Sequence, residues 1–282
     1  MQLLADTARN VAMALWPVAI AFVALAVVTK RAEVFAAARR CRREATTNIG
    51  LILVNYILLA PLMAMPALAL RQAVPVPPGL AEWWLSWPEL ALLLLAIALV
   101  ELAAYWRHRL EHSPSMWRFH ATHHADEQLH WLSLLRKHPV GKLLEMLLDA
   151  LPAILLGMPA WAIVGAQLIR SWWGYFIHAD VPWTLGIAGR WLISPAAHRL
   201  HHIRDEALMG SNYGNMLTLW DRLFGTWRDP APYLGCETGI AEGSRGLWGE
   251  LLRPWEARYR WPAGAEGSDR LASRRDGLAK GR

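Results

Sequence analysis

Cysteine and charge are both scarce in this chain, and each scarcity excludes something different. Two cysteines occur in 282 residues, Cys41 and Cys236. They lie far apart and outside any C-x-x-C pattern, so neither a disulfide framework nor a thiolate metal site is available. Only 18% of residues are charged, below the quarter usual in soluble domains. The 29 Lys and Arg outnumber the 23 Asp and Glu, for a formal charge of +6 and a pI near 9.7. Long apolar runs interrupt these basic residues, so nucleic acid is not an expected partner. Hydrophobic residues are abundant instead, at 55%, with seventeen tryptophans and a mean hydropathy of +0.19. That composition predicts a membrane protein, whose positive excess falls on loops facing the anionic cytoplasmic leaflet.

Val11–Thr29 is nonpolar up to its last position and as a helix covers about 28 Å, roughly the hydrocarbon thickness of a bilayer. No small-residue cleavage site follows, so it reads as an anchor and not a signal peptide. A basic loop comes next, with Lys30, Arg31, Arg39, Arg40, Arg42 and Arg43 against Glu33 and Glu44. The second apolar run, Ile49–Leu70, is expected to kink at Pro61 and Pro66. A Pro-rich connection, Arg71–Pro88, leads to a third run, Leu90–Trp106. The positive-inside rule puts the basic loop in the cytoplasm, the N-terminus outside, and Arg107 onward back in the cytoplasm. The fourth apolar region, Leu143–Ile169, contains Pro152 and the breaker Gly157–Pro159. It is expected to be a helical hairpin, from about Val140 to Leu156 and back through Trp161–His178. The alternative, one long kinked span, would place the last histidine run across the membrane from the others. Residues 247–261 mix Trp and Leu with Arg and Glu and are expected on the membrane surface. The last twenty residues are polar and aperiodic, which predicts disorder.

The expectation is thus an all-α integral membrane bundle: about three spanning helices plus a hairpin, with a cytoplasmic helical cap. The expected segments are 1–89, membrane anchor helices; 90–228, central domain; 229–262, interfacial segment; and 263–282, disordered tail.

Eight of the eleven histidines sit in three short runs, "HRLEH" at 108–112, "HATHH" at 120–124 and "HRLHH" at 198–202. Offsets of i, i+3 and i+4 share one helix face, so each run is a row of imidazoles pointing one way. Buried and uncoordinated, so many imidazoles would each need a hydrogen-bond partner. Metal satisfies them together, and imidazole suits Zn, Cu, Fe and Ni. A structural zinc takes about four ligands, so the supply fits two ions better than one.

These runs, with their surroundings, resemble the fatty acid hydroxylase/sterol desaturase superfamily of integral-membrane di-iron enzymes. "ELAAYWRHRLEH" resembles the first box, with Glu101 where Asp is usual. "WRFHATHHADEQLHWLSLLRKHP" resembles the second box and the Arg-x-His-Pro stretch beyond it. "GYFIHADVP" resembles a further segment, with Asp180 in place of the common Asn. "SPAAHRLHH" followed by "NYGNMLTLWDRLFGTW" is similar to the third box and its tail. The likeness covers about residues 90–228, and the third box with its tail is its most specific part.

The resemblance implies a metal-ligand set of His108, His112, His120, His123, His124, His198, His201 and His202, with His178 as a further histidine. Some relatives carry another histidine where this chain has Gly174, and His138 is a candidate to supply that nitrogen. His130 reads as a surface or supporting residue. Glu101, Asp180 and Asp221 are expected near the centre as carboxylates that orient ligands; the alternatives are a helix cap for Asp180 and a salt bridge for Asp221. Asn212 and Asn215 read equally well as a turn.

The implied cofactors are two Fe ions with O2 as co-substrate, acting on an unactivated C–H bond of a lipid by hydroxylation or desaturation. The implied partners are a lipid from the bilayer and an external ferredoxin- or cytochrome-type electron donor, and oligomeric state is open. Fatty acyl, sterol, aminolipid and carotenoid substrates all stay open, as does oxidative ether cleavage at the same site. A metal transporter or sensor is the reading from another class. It requires polar residues lining the spans, where only Asn55 and Glu101 stand out.

Overall fold

The computed structural model describes residues 2–73, 77 and 79–259. Among these residues the chain is helical, without a β-sheet. α1 (Gln2–Lys30) and α2 (Val34–Ala73) fold back on each other through a tight turn at Arg31–Glu33, where Arg31 takes φ 49°. The expected basic loop is therefore not a loop. Arg39, Arg40, Arg42 and Arg43 lie in the first turns of α2, exposed, because no glycine or proline falls between Val34 and Ile49. The helix also runs past Pro61 and Pro66 to Ala73.

A short α3 (Leu80–Leu85) precedes α4 (Glu89–Glu111), the helix that carries the first histidine run. The fourth apolar region is broken as expected at Gly157–Pro159, with Gly157 at φ 65°, a left-handed conformation that glycine adopts without steric cost. Its first arm, however, is two pieces, α6 (Pro139–Leu148) and α7 (Leu151–Leu155), before α8 (Ala160–Ile177) returns. Pro152 interrupts the arm, because it has no N–H for the Leu148 carbonyl four residues back; beside the break the buried Asp149 carboxylate binds two arginines, from α4 and α8.

α4 packs against α7 and α8 through Leu92, Ala96, Ile97, Val100, Ala153, Ala162 and Ala166, all buried. The alanines let the backbones approach closely, as small residues do between membrane helices. Outward faces of the same helices show Leu90, Leu94, Val164, Leu168 and Trp172, and α1 shows Trp16, Ile20, Val23 and Val27. Among the described residues, two stretches are long and apolar enough to cross a bilayer: Arg9–Leu59, which contains the turn at Arg31, and Glu89–Glu111. The chain is membrane-associated.

α5 (Pro114–His124), α9 (Pro195–His201) and α10 (Leu219–Leu223) hold the remaining site segments. Proline stands at the first position of α5, α6 and α9, where its missing N–H costs nothing. Ser194 caps α9 by accepting from Ala197 N at 3.1 Å. The C-terminal segment through α11 (Leu247–Leu252) packs onto α2 and α5. It exposes Trp248, Leu252 and Trp255 while burying Glu250 and Arg253. The expected disordered tail, 263–282, lies outside the described residues.

Candidate metal centre

The short helices α5 and α9 and the ends of α4 and α8 bring nine histidines into two adjoining groups. His108, His112, His120, His124 and His201 form one, and His123, His178, His198 and His202 the other. Within each group the candidate ligand atoms lie within 4.8 Å of one another. The groups touch where His124 stacks on His202, ring centroids 4.4 Å apart. The helical spacing explains the split: in "HATHH" His120 and His124 fall in the first group and His123, one position aside, in the second.

Four of the nine Nδ1 atoms are held from behind by backbone carbonyls. His108 Nδ1 lies 2.8 Å from the Tyr213 carbonyl and His201 Nδ1 2.7 Å from that of Ser211. His123 uses the Arg136 carbonyl at 3.2 Å, and His178 that of Gly174 at 2.7 Å. A carbonyl only accepts, so each of these Nδ1 atoms carries the proton and each Nε2 presents a lone pair. Yet His108 Nε2 and His201 Nε2 face each other at 3.0 Å. Two lone pairs at that distance repel unless a cation sits beside both. His124 has neither ring nitrogen hydrogen-bonded, and His112 Nε2, His198 Nδ1 and His202 Nδ1 are likewise buried without a partner. Burial first, and then the neighbouring imidazoles, push His120, His124, His198 and His202 well below the usual histidine pKa. Burial brings His201 down to about 4. Neutral, inward-facing and unpaired imidazoles are the donor set of a transition-metal site. Nine exceed the roughly six that one octahedral ion accepts, so the residues fit two ions.

His138 is not brought to either group. It caps α6, accepting from Val140 N at 3.2 Å, and its Nε2 lies 3.2 Å from the Leu251 carbonyl. Gly174 needs no substitute nitrogen: its carbonyl holds His178, and a Cβ there would come within 2.9 Å of Leu134. A His138→Asn variant, which keeps the cap, is expected to retain full metal content. His138→Ala is expected to lose about 1 kcal/mol of stability with the metal still bound, checked by metal analysis and thermal denaturation.

None of the three expected carboxylates reaches a histidine nitrogen. Glu101 pairs with Arg170 and accepts from Met216 N and Leu217 N at 2.8 and 3.0 Å. Asp221 accepts from Tyr213 N, Gly214 N and Thr226 Oγ1 at 2.6–2.8 Å. It thereby fixes the peptide whose carbonyl holds His108, acting one step removed from that candidate ligand. Asp180 is half-exposed and bridges Lys30 and Arg199, tying the end of α1 to α9. "NYGN" is a turn that serves the site. Asn212 takes φ 54°, and a Cβ on Gly214 would stand 2.5 Å from the Leu217 carbonyl.

Among the described residues, the carboxylate that does meet a candidate ligand is Glu111, inside "HRLEH", with Oε2 3.3 Å from His120 Nδ1 and 2.6 Å from Arg107. Sequence reasoning passed over it because it read the box for its histidines alone. Arg136 was missed too, although it stands two residues before His138 in the same quoted stretch.

A cavity of about 170 Å³ opens beside both groups, lined by His108, His120, His123, His178 and His198, by charged residues, and by Tyr56, Leu134, Leu135 and Tyr175.

Comparison with known proteins gives a match to the fatty acid hydroxylase family over residues 93–226. An ornithine lipid hydroxylase, OlsE, of Rhizobium tropici is 30% identical over 63% of this chain and 54% of its own length. The Homo sapiens alkylglycerol monooxygenase is 30% identical over 45% of this chain and 28% of its own. A Delta(7)-sterol 5(6)-desaturase of Aspergillus fumigatus is 30% identical over 53% and 52%. The chain spans about half the length of the first and third of these and less of the second. No solved structure matches it.

Proposed function

The chain belongs, through residues 93–226, to the fatty acid hydroxylase family, and on that premise we propose that it is a membrane di-iron oxygenase acting on a C–H bond of a lipid. His108, His112, His120, His124 and His201 would hold one ion, and His123, His178, His198 and His202 the other. Two such ions, when bound, would supply O2 activation and electrons for a bond that has no leaving group and is beyond Ser, Cys or Asp nucleophiles. The protein's own part is orientation. The carbonyls of Tyr213, Ser211, Arg136 and Gly174 fix four ligand rings, Glu111 steadies a fifth, and Asp221 and Glu101 hold the 213–217 loop. The observation that carries this reading is the 3.0 Å approach of two lone-pair nitrogens, His108 Nε2 and His201 Nε2.

The centre faces the cytoplasm. Its histidine cap is joined to the basic turn after α1 by Lys30–Asp180 and by Arg43 donating to the Ser244 carbonyl, and a basic turn belongs on the cytoplasmic side. The exposed Arg39, Arg40 and Arg42 suit docking of an acidic ferredoxin- or cytochrome-type donor. Segments 1–89, 90–228, 229–262 and 263–282 then serve as anchor, catalytic domain, interfacial segment and tail.

Lipid mass spectrometry of cells with and without the protein, grown under isotopically heavy dioxygen, tests the function. The expected result is a lipid heavier by one labelled oxygen, or lighter by two hydrogens, only when the protein is present. Chelation of the purified protein is expected to remove about two irons per chain and lower its thermal stability. An unchanged lipid profile with both irons in place would overturn the reading.

A further inference from the structure

We propose that the cavity beside the histidine groups binds a zwitterionic lipid headgroup, and so presents the headgroup, in place of the acyl chain, to the centre. The inference rests on the oxygenase reading for its chemistry, but the cavity's preference can be measured without turnover.

Beside the histidines, the apolar Leu134 and Leu135, and Tyr175, the lining carries charge of both signs. On one side Arg107 and Arg170 share Asp149, with contacts of 2.6–3.3 Å. Arg170 also pairs with Glu101, and Arg107 with Glu111. Three carboxylates thus meet two guanidinium groups, and the excess surfaces at Glu111. This side chain is 2% exposed and lines the cavity, yet its Oε1 has no hydrogen-bond partner. On the other side Lys137 and Lys142 converge on the single carboxylate of Glu145, one on each oxygen. Two ammonium groups meet one carboxylate, so positive charge is in excess there, and each ammonium has three N–H donors to give.

The lining is therefore dipolar: an unfilled acceptor at Glu111 and spare donors at Lys137 and Lys142. A polymethylene chain in this space would strip water from these groups and return no hydrogen bond, which is costly for every polar group it covers. A group carrying an ammonium a few atoms from an anion satisfies both ends. Its ammonium would meet Glu111 Oε1, and its anion the lysine pair. The volume, about 170 Å³, is on the order of five or six waters, the scale of a headgroup. An aminoacyl lipid with a free carboxylate and a phosphoethanolamine lipid share this chemistry.

The test titrates the purified, metal-loaded full chain in neutral detergent by calorimetry with four short-chain lipids. These are an aminoacyl lipid with a free carboxylate, phosphatidylethanolamine, phosphatidylglycerol and diacylglycerol. Tighter binding of either zwitterion by tenfold or more over the last two supports the proposal, and the better zwitterion names the source. Lys142→Gln is expected to weaken zwitterion binding roughly tenfold, with diacylglycerol affinity and iron content unchanged. Lys142→Arg is expected to keep the preference, so a fold lost in the glutamine variant still leaves a readable result. Equal affinity for all four lipids, or phosphatidylglycerol matching the zwitterions, overturns it. Fragmentation of the oxidised lipid adds a second readout. Oxygen in the headgroup supports the assignment, and oxygen in the acyl chain overturns it while leaving the oxygenase reading intact. A zwitterion preference with no oxidation of any lipid sustains the cavity and sinks the oxygenase.

Discussion

His201→Ala is expected to abolish product formation, by more than about 100-fold, and to lower iron from about two per chain to one. Loss of a supporting partner of a ligand already costs roughly 10–100-fold in metal affinity or activity, and His201 is proposed as a ligand itself. Its Nε2 stands 3.0 Å from His108 Nε2, and its Nδ1 is anchored 2.7 Å from the Ser211 carbonyl. Removing the ring leaves a gap in the group of five and leaves the group of four, on the far side of the His124–His202 stack, in place. The measurements are iron per chain, turnover, and membrane insertion by fractionation. Full turnover with normal insertion in this variant would remove the basis for a di-iron centre.

Much of this was legible in sequence, for a physical reason. Histidine offsets of i, i+3 and i+4 constrain the rings to one helix face wherever the helix sits, so the three runs could be read without knowing the packing. The break at Gly157–Pro159 was legible for a local reason, since a glycine followed two residues later by a proline is a strong helix stop. What needed coordinates was every contact between distant residues. Glu101 and Asp221 were expected beside the ligands, but each hydrogen-bonds instead to backbone N–H groups of the 213–217 loop, a distinction invisible in spacing. His138 was a candidate ligand because Gly174 stands where some relatives have a histidine; its ring instead caps α6. The basic stretch after α1 looked like a loop because charge suggests solvent, but lysine and arginine are good helix formers and helix is what they adopt.

Arg136→Ala is expected to lower the unfolding midpoint by on the order of 10 °C and to deplete iron from the group containing His123. Arg136 is fully buried. Its guanidinium donates to Glu44 at 2.6 Å and Asn48 at 3.1 Å on α2, to the Thr122 carbonyl at 2.7 Å on α5, and to Glu250 at 2.7 Å and Ser244 at 3.0 Å in the C-terminal segment. Removing one partner of a buried ion pair costs about 3–5 kcal/mol, because the other charge is left uncompensated, and each kcal/mol is worth roughly 2–4 °C in a chain of this size class. Glu250 keeps Arg253 at 2.8 Å, so Glu44 is the carboxylate that loses its guanidinium. The coupling to metal runs through the main chain: the Arg136 carbonyl holds His123 Nδ1 at 3.2 Å, so slackening this junction frees the ring to turn. Arg136→Lys separates the two effects. A lysine can answer Glu44 but not α5 and the C-terminal segment together, so part of the thermal loss is expected to return while zwitterion binding in the cavity stays as in the parent. Thermal melts with iron analysis on both variants check this, and unchanged iron in a destabilised Arg136→Ala would show that His123 is held by its own helix.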